Sequence, residues 1–184
     1  VLNVLRQNPS KTTTTPTYHL IMNHGIPATL PFIAWGIAVP VVFFSLLIVF
    51  RFFNLWEGKM RRGSRGSDIM AFEIVAGLCV LYLGVVGYIL WFDLNSAWRD
   101  ELEVVWSNKM YGRSQAIEDH LIAPMISYQG WNVVLCLFNA DLRDPAMIGH
   151  HVATAALSYF CLAPYVQGHA IFFLGLAELT NIPL

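Results

Sequence analysis

Ile26 to Phe50 contains no charged residue. At about 1.5 Å of rise per residue, a helix of that length crosses the roughly 30 Å hydrocarbon layer of a bilayer with some tilt. A helix is the natural form for it, because in hydrocarbon every backbone N–H and C=O must be paired within the segment. Similar apolar blocks recur from Ile69 to Phe92, from His120 to Ala140, from Pro145 to about Tyr165, and from His169 onward. Only 12% of the residues are charged, about half of what a soluble domain carries. The pattern predicts an all-α fold, a polytopic transmembrane helical bundle of about five spans. The last run is shorter than the roughly 20 residues a span needs, so further C-terminal spans are expected to be missing. A net charge of −1 leaves no electrostatic footprint for nucleic acid.

Residues 1–25 read as a flexible lead-in, 26–53 as the first transmembrane helix, 54–68 as a basic loop, and 69–184 as one helical domain. Pro40 predicts a kink in the first helix. Arg51, Lys59, Arg61, Arg62 and Arg65 stand against Glu57 and Asp68 around the loop. The excess of Lys and Arg predicts that loop 54–68 faces the cytoplasm, or the matrix or stroma of an organelle. On the second span Glu73, Gly77, Gly84, Tyr88 and Trp91 share a stripe, and its two glycines predict close approach to another helix. The acidic connection 93–119 contains Trp98, Leu102, Val105 and Trp106 on one face, the pattern of a short interfacial helix. Val166, Gln167 and Gly168 read as a tight turn between the last two runs. Cys79, Cys136 and Cys161 form neither a disulfide framework nor a zinc motif.

The fourth run carries the chemistry. Asp144 followed by Pro145 is a helix start, a carboxylate N-cap before a proline at the first helical position. His150 and His151 then lie about 9 Å into the helix. Ionisable side chains at bilayer depth are rare and mark functional sites by default. Asp144, His151, Thr154 and Ser158 fall within a roughly 100° arc, with His150 at its edge. A neutral imidazole removes a proton from an alcohol or amine, or attacks a thioester, because its pKa lies near working pH. Thr154 and Ser158 are placed to orient the rings. Gln129 and Asn132 on the preceding helix are placed to donate to an oxyanion. Spacing alone leaves three roles open: acyl transfer, polar contact between helices, and ligation of a metal or pigment. Adjacent histidines diverge by about 100° and chelate poorly. Glu178 is the other candidate for a buried ionisable residue.

The string Arg143-Asp144-Pro145-Ala146-Met147-Ile148-Gly149-His150-His151-Val152-Ala153-Thr154 resembles the signature of the TLC-domain family. That domain is shared by translocating-chain-associated membrane proteins, ceramide synthases and several lipid-related membrane proteins. Leu176 to Pro183, centred on Glu178, resembles the family's second landmark. The likeness covers roughly 69–184 and implies a helical bundle of six or more spans linked to lipid metabolism, binding or sensing. In ceramide synthases the matching histidines carry N-acylation of a sphingoid base from an acyl-CoA. Those enzymes add a downstream His-Asp pair and further aspartates, where this chain has Phe172-Phe173-Leu174-Gly175-Leu176 and Glu178 alone. The chain is therefore closer to TLC-domain proteins that are not ceramide synthases.

These readings converge on a lipid-handling integral membrane protein of an endoplasmic-reticulum-type membrane. Its candidate catalytic residues are His150 and His151. Asp144, Thr154, Ser158, Asn132 and Glu178 are candidate lipid-binding residues. If it is an enzyme, the activity is of acyltransferase type. An acyl-CoA or a bound lipid is the implied small molecule, no metal is expected, and pigment ligation by a histidine stays open. Lipids and other transmembrane helices or subunits are the expected partners. The alternative is a non-catalytic accessory subunit of a respiratory or photosynthetic complex in a mitochondrial or plastid membrane.

Overall fold

The computed structural model describes residues 29–60, 62–97 and 114–181. The lead-in 1–25 and the interfacial pattern at Trp98, Leu102, Val105 and Trp106 lie outside the described residues.

Helix α1 spans Thr29–Phe52 and runs on through Pro40. Helix α2 spans Gly66–Ala97 and extends past the expected end at Phe92. The third helical run, α3, covers Gln115–Phe138. These contain the three segments, among the described residues, that are long and apolar enough to cross a membrane. Leu30, Ile33, Ile37, Phe44 and Ile48 of α1 are exposed. A contiguous apolar surface of that kind belongs against lipid or another helix rather than water.

Proline sets the local irregularities. Pro124 has no N–H, and its ring would press on the carbonyl one turn back. The chain answers with a π turn over Glu118–Ile122, in which the Ala123 N–H reaches Glu118 O. Helix α4 spans Pro145–Phe160, and the Asp144 side chain caps it by accepting from the Ala146 N–H at 2.8 Å. The fourth run was expected to continue to about Tyr165, but it stops at Phe160. A residue preceding proline is pushed out of helical backbone, and Ala163, before Pro164, is extended at φ −73° and ψ 128°. The turn is therefore at 161–163, not at Val166 to Gly168. The last helix begins at Pro164 rather than His169. It runs as α5, Pro164–Ala170, then as a π turn over Ile171–Gly175 and a 3-10 segment over Leu176–Asn181.

Helix α3 packs against α4 and α1, while α2 packs against the segment 171–181 and α1. One core joins Leu83, Leu121, Met125 and Ile171; the other joins Phe43, Phe50, Phe72 and Val75. A close glycine contact on α2 is at Gly87; Gly77 of the expected stripe makes none. A Cβ on Gly87 would sit 2.4 Å from the Gly175 Cα, whereas one on Gly77 would meet open space.

Basic loop 54–68 and the turn before α4 lie on one end of the bundle. The Asp141 carboxylate accepts from the backbone N–H of Arg62 at 2.7 Å and of Ser64 at 2.8 Å. Burial would raise the Asp141 carboxyl, but the bonds from the Arg62 and Ser64 backbone N–H groups, with the Arg62 charge, outweigh it. They hold the carboxyl below the usual carboxylate range.

Candidate functional site

On α3 the residues Met125, Gln129, Asn132 and Cys136 are buried. Their spacing of three and four residues places them on one face of the helix. On α4 the buried residues are His151 and Ser158, two turns apart. The short connection 139–144 makes the two helices antiparallel neighbours, and their buried faces meet.

His151 is 4% exposed, and its Nδ1 lies 2.6 Å from Gln129 Oε1. The Gln129 amide nitrogen faces Met125 Sδ at 3.5 Å, which leaves the oxygen aimed at the imidazole. An amide oxygen only accepts, so Nδ1 carries the proton and Nε2 presents a lone pair. That Nε2 is buried with no hydrogen-bond partner among the described residues. The same holds for Asn132 Nδ2 and for Trp131 Nε1 on α3. Leaving a buried polar atom unpaired costs about 1–3 kcal/mol. Native interiors hold few such atoms; of the three, Trp131 packs against Phe43 and Phe44 of α1, away from α4.

The histidine pair does not act as one unit. His150 is exposed, so one of the two candidate catalytic rings is turned into the bundle and the other is not. The ring centroids are 5.4 Å apart at 61°. The cause is helical geometry: consecutive side chains diverge by about 100°, and α4 buries one narrow stripe. Thr154 and Ser158 were expected to orient the rings, but their hydroxyls donate to the carbonyls one turn back. Thr154 Oγ1 bonds His150 O at 2.9 Å, and Ser158 Oγ bonds Thr154 O at 2.7 Å. Asp144 is exposed and serves as the helix cap. Gln129, expected as an oxyanion donor, instead holds the imidazole. Glu178 is half-buried on the 3-10 segment that packs on α2.

Two features carry no sequence signal beyond residue type. Gln167, fully buried inside α5, donates to Glu118 Oε1 at 2.8 Å and accepts from the Ser114 N–H at 2.5 Å. Glu118 itself is buried, although it belongs to a stretch that reads as an acidic surface connection. Between α1 and α2 lies a groove of about 210 Å³ lined by Trp35, Val39, Val42, Leu78, Cys79 and Tyr82. The Tyr82 hydroxyl lies 3.2 Å from His120 Nδ1. The groove is apolar enough to hold hydrocarbon; an apolar cavity of about 150 Å³ already accommodates benzene.

The family model described as TLC domain matches residues 71–184. No curated protein matches the chain, and no solved structure does.

Proposed function

The chain belongs to the TLC-domain family, and from that premise we propose that it binds one hydroxyl-bearing membrane lipid between α3 and α4, through His151. The observation that carries this reading is the buried Nε2 lone pair of His151, held in one tautomer by Gln129 and without a donor among the described residues. A lipid hydroxyl donates to that lone pair and so satisfies it. The acyl or sphingoid chain of the lipid then lies along apolar helix surface, where its burial is favourable at about 25 cal/mol per Å².

Binding or sensing fits these residues better than acyl transfer. One imidazole faces inward, its neighbour faces outward, and the two nearby hydroxyls donate within their own helix. The lysine and arginine excess in loop 54–68 supports a cytosolic loop in an endoplasmic-reticulum-type membrane.

Native mass spectrometry of the protein in a mild detergent tests the reading. The wild type should carry one hydroxyl lipid per chain, His150→Ala should keep it, and His151→Leu should release it. Retention of the lipid by His151→Leu refutes the proposal. So does a lipid-free wild type, including one that travels instead as a stoichiometric part of a large complex.

A further inference from the structure

The contact between loop 54–68 and the turn before α4 plays no part in lipid binding at His151, yet it is densely bonded. Lys59 and Arg65 pair as an antiparallel bridge, and the Met60 N–H bonds Ser64 O at 2.8 Å. Gly63 turns the chain between them with φ +95°, a region that favours glycine. This hairpin delivers Ser64 to the turn. Ser64 Oγ donates to Asn139 Oδ1 at 2.5 Å and accepts from the Asp141 N–H at 3.3 Å. Asp141 grips the backbone of Arg62 and Ser64, and the Arg62 guanidinium donates to Arg143 O at 3.2 Å.

The sequence reading into that serine is Arg61-Arg62-Gly63-Ser64. Arginines two and three places ahead of a serine complement the acidic peptide groove of arginine-directed protein kinases. We propose that Ser64 is a phosphoacceptor for such a kinase, and that phosphorylation releases the 59–65 hairpin from the 139–144 turn. In the reaction Ser64 Oγ bonds to the γ-phosphorus of ATP. The bond from that phosphorus to the β–γ bridging oxygen breaks, ADP leaves, and the hydroxyl proton passes to the kinase's base.

The product cannot keep the docked geometry. Phosphoserine carries about −1.5 to −2 charges near pH 7, so its oxygens act chiefly as acceptors. It would face the Asn139 carbonyl oxygen and the Asp141 carboxylate, both acceptors. Released, the phosphate can pair with the Arg62 guanidinium, a charge-assisted bond. The modification therefore penalises one state and supports the other, as a switch requires. Because Ser64 Oγ is engaged in the docked state, the kinase acts on the released one, and its rate follows the population of that state.

The test uses the full chain in lipid nanodiscs with the catalytic subunit of cAMP-dependent protein kinase and Mg-ATP. Phosphate should appear on Ser64, and Ser64→Ala should abolish it. Asp141→Asn weakens the grip on two N–H groups, and bonds to a charged acceptor are the stronger kind, so the initial rate should rise about tenfold. Asn139→Ala should raise it in the same direction and stands in if Asp141→Asn folds poorly. Phosphorylation should also speed amide exchange across 139–146. Phosphate on Ser67 instead of Ser64 overturns the proposal. So does labelling of Ser64 at equal rates in the wild type and both variants, or labelling that leaves exchange at 139–146 unchanged.

Discussion

Replacing Gln129 by leucine removes the partner that the buried imidazole has among the described residues and leaves Nδ1–H facing a methyl group. An unpaired buried donor costs about 1–3 kcal/mol in a protein interior. Polar contacts between membrane helices measure lower, about 0.6 kcal/mol on average and up to about 1.7. The 2.6 Å separation and the burial of His151 put this bond at the strong end. Gln129→Leu should therefore destabilise by about 1–2 kcal/mol. His151→Leu should cost a similar amount, because it strands Gln129 Oε1. The double variant has neither orphan and closes the interface with apolar volume, so its loss, measured on delipidated protein to exclude stabilisation by ligand, should be near zero. The cycle then gives a coupling of about 1–2 kcal/mol, measured by reversible unfolding in mixed micelles. Lipid occupancy should behave differently. It should be lost in His151→Leu and in the double variant alike, and reduced in Gln129→Leu, where the tautomer is no longer fixed. Additive stability losses in the double variant would refute the imidazole–amide bond. A double variant that is stable and still loaded with lipid would refute the role assigned to Nε2.

Gly87→Ala should destabilise by about 1–3 kcal/mol, the range for overpacking, because its Cβ would stand 2.4 Å from Gly175 Cα and 2.8 Å from the Gly175 carbonyl carbon. Carbon atoms at rest sit about 3.5–4.0 Å apart, so an unchanged thermal midpoint would show that α2 and the 171–181 segment do not meet there. Asp141 has a depressed folded-state pKa, so its contribution is full above the ordinary carboxylate range and fades as pH falls through the depressed value. The thermal-midpoint gap between wild type and Asp141→Asn should accordingly hold steady from neutral pH to about pH 5 and close below about pH 4; a gap that widens on acidification would reverse the sign of the argument. Gln167→Leu should cost about 1–3 kcal/mol, since it takes a donor from buried Glu118 and an acceptor from the Ser114 N–H; chemical denaturation in detergent that detects no loss would place that bridge outside the folded core.

The helices were legible because they rest on local properties. The charge-free run Ile26 to Phe50 predicts the helix found at Thr29–Phe52, and a carboxylate before a proline fixes the start of α4 at Pro145. Pro164 could have been read as the start of the last helix by the same logic, since it extends Ala163 and opens α5. The interior was not legible in that way. In a soluble helix the apolar stripe names the buried face, but a helix in hydrocarbon is apolar all round, and the pattern loses its direction. The sequence therefore determined that two histidines lie side by side on a membrane-type helix, and tertiary packing decided that His151 turns inward while His150 does not. Packing likewise chose Gly87 over Gly77 for the close approach. It also joined Gln167 to Glu118 and Ser64 to Asp141, pairs whose members are far apart along the chain and carry no shared local signal.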